Sequence, residues 1–292
     1  MAFGPFLLLA LMEGLVAAAV LALTAVGLSL VFGVMRVVNV AHGQFYMLGA
    51  VSAWFVTQYV PGPPWVGFAA ALIVCPLLVA AIAALMDTLV LKRLNYDPQA
   101  TILATIGFLY ILQQAALTIY GPDARPVEPP FNFRLQLPWF GYSGYKIAVV
   151  VAAGLILTAV WLFMTRSKAG LIMRAVQIDR ITARAFGIHV DRVYAGTFAL
   201  GAGLAAVAAV LIVPIQQAHY LMGGDPLLMS FIVVIIGGLG SLRGTLVAAL
   251  LIGLSDGVIS VFYSPTLAKI LATLFVAMVL VFRPQGLFGD KQ

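Results

Sequence analysis

Three histidines, three carboxylates set in apolar runs and two glycine-rich breaks are the residues here whose types could do chemistry. His42, His189 and His219 stand in separate segments, with no His-Glu-x-x-His spacing and no cysteine partner, so the ligand set of a metal site is missing. Cys75 is the single cysteine and lies in an apolar run; it excludes an intramolecular disulfide and reads as a small core residue. No Gly-x-x-x-x-Gly-Lys-Ser/Thr loop occurs, so the chain cannot cradle a nucleotide's phosphates in that way. Gly238-Leu239-Gly240-Ser241 is only a cousin of the Gly-x-Ser-x-Gly elbow, and its glycines suit close packing or a helix break. General acid-base chemistry would need His42 within hydrogen-bond reach of a carboxylate, and no paired motif supplies one. The expectation is a protein that is not an enzyme.

Glu13, Asp87 and Asp256 fall in or near apolar runs, where an ionised carboxylate costs several kcal/mol unless it is paired or faces water. Glu13 and Asp87 suit interfacial ends. Asp256 lies mid-run before Gly257 and is expected to face inward, in a structural pair or along a solute path. Two segments correspond between the halves of the chain. Asn39-Val40-Ala41-His42-Gly43-Gln44 precedes one short apolar run, and Gly223-Gly224-Asp225-Pro226 precedes another. Both read as interrupted helices or as short hairpins; transport folds place interrupted helices at matching positions of two repeats, where unwound backbone offers polar groups at membrane depth. His42 is then either a polar helix cap or a pore-lining group.

The elements that must position these residues follow from composition. Of 292 residues, 63% are hydrophobic and 9% charged, which excludes a water-soluble fold. Mean hydropathy is +1.09. Aromatic residues show no alternating ten-residue segments, so helices rather than barrel strands are expected to span. Apolar runs at 8–33, 66–90, 101–119, 147–165 and 193–215 are clear candidates, with shorter or divided ones at 45–60, 227–236, 246–261 and 267–282. The reading is an all-α, polytopic membrane bundle of eight or nine spans, forming one domain over residues 1–292. The run after Asp225 is the one whose crossing is open. No Lys or Arg precedes Arg36, so the first run is expected to stay as a span.

Nine crossings with the N-terminus outside put twelve basic residues in the cytoplasm: Arg36, Lys92, Arg93, Arg166, Lys168, Arg174, Arg180, Arg184, Arg192, Arg243, Arg283 and Lys291. Arg125, Arg134, Lys146 and Lys269 fall on the other face, a bias of twelve to four that also puts the C-terminus inside. The net charge of +6 therefore reports topology and not a nucleic-acid partner. Pro61-Gly62-Pro63-Pro64 forces a tight turn. Residues 121–145, rich in Pro and aromatics, read as an external loop at the interface. Residues 166–192 are the longest cytoplasmic piece; within them, positions 171–186 carry apolar residues at three-to-four spacing, and Gly187 closes the predicted amphipathic helix. Such a helix either lies on anionic lipid or fills a partner's groove.

Gly27-Leu-Ser-Leu-Val-Phe-Gly33 followed by Asn39-Val-Ala41-His42-Gly43-Gln44, then Arg174 to Ile188, then Gly237-Gly-Leu-Gly240-Ser241-Leu-Arg-Gly244, resemble the LivH-type permease of bacterial branched-chain amino acid ABC importers, in family order over nearly the whole chain. The resemblance implies an inner-membrane permease subunit with its N-terminus in the periplasm. It also implies a paralogous, LivM-like permease partner, two ATP-binding subunits of LivG and LivF type carrying ATP and Mg, and a periplasmic substrate-binding protein. No cofactor is expected on this chain itself. Arg174, Asp179, Ala183, Gly187 and Ile188 would couple to an ATPase subunit; Asn39, His42, Gly43, Gln44, Gly224, Asp225 and Gly240 would line the substrate path. Glu13, Leu21, Ile178 and Ser230 stand where members commonly carry other residues, which leaves the solute open among branched-chain amino acids, urea, amides and other amino or carboxylic acids. A proton-coupled secondary transporter working through Glu13, Asp87 or Asp256 is the rival expectation.

Overall fold

In a computed structural model, which describes residues 3–283 and 285–288, every apolar run of the sequence is a helix. Lys291 and the expected cytoplasmic C-terminus lie outside the described residues. In chain order the helices are α1 (Phe3–Met35), α2 (His42–Tyr59), α3 (Pro64–Met86), α4 (Pro98–Tyr120), α5 (Gly144–Arg166), α6 (Lys168–Ile178), α7 (Arg180–Ala185), α8 (Val190–Gln216), α9 (Gly224–Gly237), α10 (Leu242–Phe262) and α11 (Pro265–Phe282). Helix α3 continues through a π-turn, Asp87–Leu91. Seven of the described helices are long and apolar enough to cross a membrane: α1, α3 with its π-turn, α4, α5, α8, α10 and α11. Helix α9, with 14 residues, is shorter.

Helices α1 and α8 form the centre, with Leu23, Val31, Ala205 and Val210 fully buried. They touch where Gly27 meets Gly201; a methyl added to either glycine would strike the other's carbonyl oxygen. Without side chains the two backbones approach closely, which favours helix association where lipid supplies no hydrophobic drive. Helix α10 lies along α1 through Gly253 and Gly257 in the same manner. Helices α3, α4, α5 and α11 ring this centre and expose apolar side chains such as Leu77, Leu103, Leu155 and Leu274, as lipid-facing surfaces do.

One end of the bundle collects most of the basic residues. There Arg36, just past α1, reaches the Gln177 carbonyl of α6 (3.4 Å), and Lys92, after α3, pairs with Asp191 of α8 (3.2 Å). Leu287 and Phe288, beyond α11, donate to the α9 carbonyls of Ile236 and Gly237 (2.8 and 3.2 Å). The opposite end carries the Pro-Gly-Pro-Pro turn between α2 and α3 and the loop between α4 and α5. That loop contains a short hairpin, β1 (Arg134–Gln136) with β2 (Gly141–Ser143) antiparallel. Arg125 pins it down, stacked 4.4 Å from the Trp54 ring and 4.6 Å from the Tyr120 ring, with backbone hydrogen bonds to Ala218 (2.9 Å each way).

The predicted amphipathic helix differs in one respect. It is two helices, α6 and α7, because Asp179 takes an extended conformation and caps α7 through the Ile181 and Thr182 amides (2.8 and 3.2 Å). A short acceptor side chain competes with helix continuation in this way. Gly187, at φ +82°, ends α7 as expected: the Ile188 amide donates to Ala183 and the Gly187 amide to Arg184, the paired bonds of a left-handed C-terminal cap.

Candidate functional site

The two sequence breaks meet inside the bundle. After α1 the chain turns at Arg36 and runs without regular structure to a second turn at Val40 and Ala41, held by the Val40 amide on Thr105 Oγ1 (3.2 Å) and the Ala41 amide on Asn39 Oδ1 (3.1 Å). Helix α2 then starts at His42, whose Nε2 lies 2.9 Å from the Thr24 carbonyl, well inside α1. A carbonyl only accepts, so Nε2 carries the proton. On the other side, α8 ends at Gln217 (φ +67°), and the chain returns inward through residues 218–223 to begin α9 at Gly224. The start of α2 and the start of α9 touch: a methyl on Gly43 would strike the Gly223 carbonyl, and one on Gly223 the Gly43 carbonyl. Two helix N-termini, each a positive dipole end, thus meet at the buried Gly43 and Gly223, while Gly224 and Asp225 of α9 stand exposed.

The path residues named from sequence divide into three places. Asn39, His42, Gly43 and Gln44 are all buried at the α2 start, and both His42 Nδ1 and Gln44 Oε1 lack a hydrogen-bond partner. His42 is therefore anchored to α1 on one side and unpaired on the other. Gly224 and Asp225 open α9 and line a cavity of about 460 Å³ with Thr24, Tyr46, Asp256 and Lys269. Gly240 is brought to neither. It sits at the basic end against Gly33 of α1, with Gln177 Nε2 of α6 beside both glycines.

Sequence reasoning did not single out Lys269, Thr24, Tyr46 or Gln177. Lys269 follows Pro265 at the start of a helix and was visible only as a minority charge on the outer face; its partner, Asp225, is 44 residues away. Tyr46 and Thr24 are ordinary residues of apolar helices until folding turns them to a cavity. The intramembrane carboxylates are resolved individually. Glu13 pairs with Lys146 (2.6 Å) near the loop end, as an interfacial position would allow. Asp87 is wholly buried and accepts from the Tyr96 hydroxyl (3.3 Å). Asp256 is half-buried on the cavity.

At the basic end, α6 and α7 present Ile178, Ile181 and Phe186, which are 80%, 77% and 83% exposed. Arg174 folds back on the carbonyls of Thr165 and Gly170 (3.4 Å each), and Ala183 is buried beneath the exposed residues. The Thr182 hydroxyl, with the Thr182 and Ile181 amides, holds the Asp179 carboxyl below its usual range. Beside α7 a groove of about 1170 Å³ is lined by Lys92, Arg180, Arg184 and Arg192. The elbow is thus polar and capped, and it carries three bare apolar side chains.

The model of the branched-chain amino acid transport system permease component matches residues 10–282. This chain belongs to that permease family. Among curated relatives, the permease is 28% identical to the high-affinity branched-chain amino acid transport system permease protein BraD of Pseudomonas aeruginosa, over 97% of this chain and 95% of that one. It is 25% identical to LivH of Escherichia coli K12, the permease protein of a system of the same description, over 93% and 92% of the two chains. A probable branched-chain amino acid transport permease of Methanocaldococcus jannaschii is also 25% identical, over 92% and 88%. Family and helices together make the permease a multi-pass membrane protein and a transport subunit.

Proposed function

We propose that this permease is a membrane-spanning subunit of an ABC importer, passing branched-chain amino acids delivered by a periplasmic binding protein and driven by ATP hydrolysis on separate subunits. The observation that carries this reading is the α6–α7 elbow. It exposes Ile178, Ile181 and Phe186 beyond the bundle, and its Gln177 reaches the junction where Gly33 of α1 meets Gly240 before α10. A push on the elbow would reach both halves of the molecule at one point. With the basic end in the cytoplasm, as the positive-inside bias requires, the elbow faces an ATPase and the N-terminus faces the periplasm of an inner membrane.

The reciprocal contacts Gly27/Gly201 and Gly43/Gly223 support two halves of opposite orientation, α1–α4 and α8–α11, with α2 and α9 as the interrupted helices. Rocking of one half on the other about these side-chain-free contacts would open the path alternately to either side. A LivM-like permease would complete the path, and LivG-like and LivF-like subunits would hold ATP and Mg. Proteoliposomes test the proposal. Uptake of leucine should require the second permease, both ATPase subunits and the loaded binding protein. Uphill uptake by this chain alone, driven by a proton gradient, would overturn it in favour of a secondary transporter.

A further inference from the structure

The cavity at the start of α9 carries charges that do not balance. Asp225, Asp256 and Lys269 all line it, two carboxylates to one ammonium, with the His219 imidazole on the same wall. Lys269 Nζ is committed to Asp225 Oδ2 at 2.5 Å. Asp256 makes no hydrogen bond or close ion pair among the described residues, although it feels the Lys269 charge. A lone carboxylate within an apolar 21-residue helix calls for a cation. Asp225, by contrast, stands in the first turn of α9, where the positive helix end stabilises it without Lys269. Lys269 can therefore be released to another carboxylate at little cost. The rest of the wall combines apolar Val20 and Leu21 of α1, Ile212 of α8 and Met229 of α9 with the polar side chains of Thr24, Tyr46, Gln216 and His219.

We propose that this cavity is a recognition site for a zwitterion with an apolar side chain: the solute ammonium on Asp256, its carboxylate on Lys269 in exchange for Asp225, and its side chain against Leu21, Ile212 and Met229. The inference rests on the importer reading and deepens it by giving that solute a site on the permease itself: urea and neutral amides bring no ammonium to Asp256, and simple carboxylates bring only half of the charge pattern. The permease then selects its solute itself, in addition to whatever the binding protein selects.

The test is equilibrium binding to the purified, assembled permease–ATPase complex without the binding protein, using radiolabelled leucine competed by 4-methylpentanoate, which lacks the ammonium, and by leucinamide, which lacks the carboxylate. Leucine should bind at least about tenfold more tightly than either analogue, the loss expected for one charged hydrogen-bonded contact. Asp256→Asn should erase discrimination against 4-methylpentanoate but keep that against leucinamide; Lys269→Gln should do the reverse. These opposite selectivity changes separate recognition from misfolding, which would lower all three ligands together. Absence of leucine binding to the wild-type complex, or an analogue binding as tightly as leucine, overturns the site. ATP-driven uptake measured in the same preparations separates the two claims: intact uptake with failed discrimination sinks the zwitterion site alone, whereas uptake that needs no ATPase sinks the importer reading.

Discussion

Asp179 shows how one side chain sets the shape of a surface. Its carboxylate caps α7, and the depressed pKa means that the cap is fully formed above the ordinary carboxylate value of 3.8 and is lost as pH falls through the lower folded value. A spin label on the elbow should therefore be immobile near neutral pH and gain mobility only below about pH 4. Asp179→Ala should mobilise it at every pH, while Asp179→Asn, which caps as well, should stay rigid and lose the pH dependence. Glu13 and Lys146 offer a different test. Each is about a third exposed or less, so the pair is screened and contributes on the order of 1 kcal/mol. Removing either partner leaves a charge at the membrane edge, so Glu13→Gln or Lys146→Met alone should lower the thermal midpoint in detergent more than the double variant does.

At the scale of elements, backbone contact decides the arrangement. Gly43→Ala would place a methyl on the Gly223 carbonyl, and Gly223→Ala one on the Gly43 carbonyl. Overpacking of this kind costs about 1–3 kcal/mol. Either variant should reduce thermal stability and transport, whereas Gly196→Ala, on α8 with open space around it, should change neither. At the other junction Gly33→Val would push α1 away from Gly240 and Gln177. Coupling should suffer there before binding does, read as ATP hydrolysis continuing while uptake falls. Both junctions join segments far apart in sequence. The motif spelling announced that glycines mattered, but not which glycine each would meet.

For the whole molecule the decisive quantity is orientation. The basic end and the loop end lie on opposite faces if the positive-inside bias holds. In a Cys75→Ala background, Ile178→Cys should react with a membrane-impermeant maleimide only in inside-out vesicles, and Tyr263→Cys, at the exposed α10–α11 turn, only in right-side-out ones. Assembly with the ATPase subunits should protect Ile178→Cys and leave Tyr263→Cys reactive. Labelling of Ile178→Cys from outside would invert the topology.

Apolar runs, prolines and the basic bias determined the helices, their order and the membrane as solvent, because each depends only on local composition and on the cost of unpaired backbone in lipid. The Pro-Gly-Pro-Pro turn and the Gly187 cap were legible for the same reason: their backbone demands are local. The Asp179 elbow was not, since three-to-four spacing continues across it while a single side-chain cap breaks the helix. Tertiary structure alone decided that Gly240 belongs with Gly33 and Gln177 rather than with Gly43, and that His42 spends its proton on Thr24. It alone set Lys269 between Asp225 and Asp256. Those relations join residues tens to hundreds of positions apart, and close helix packing, which no periodicity encodes, is what brings them together.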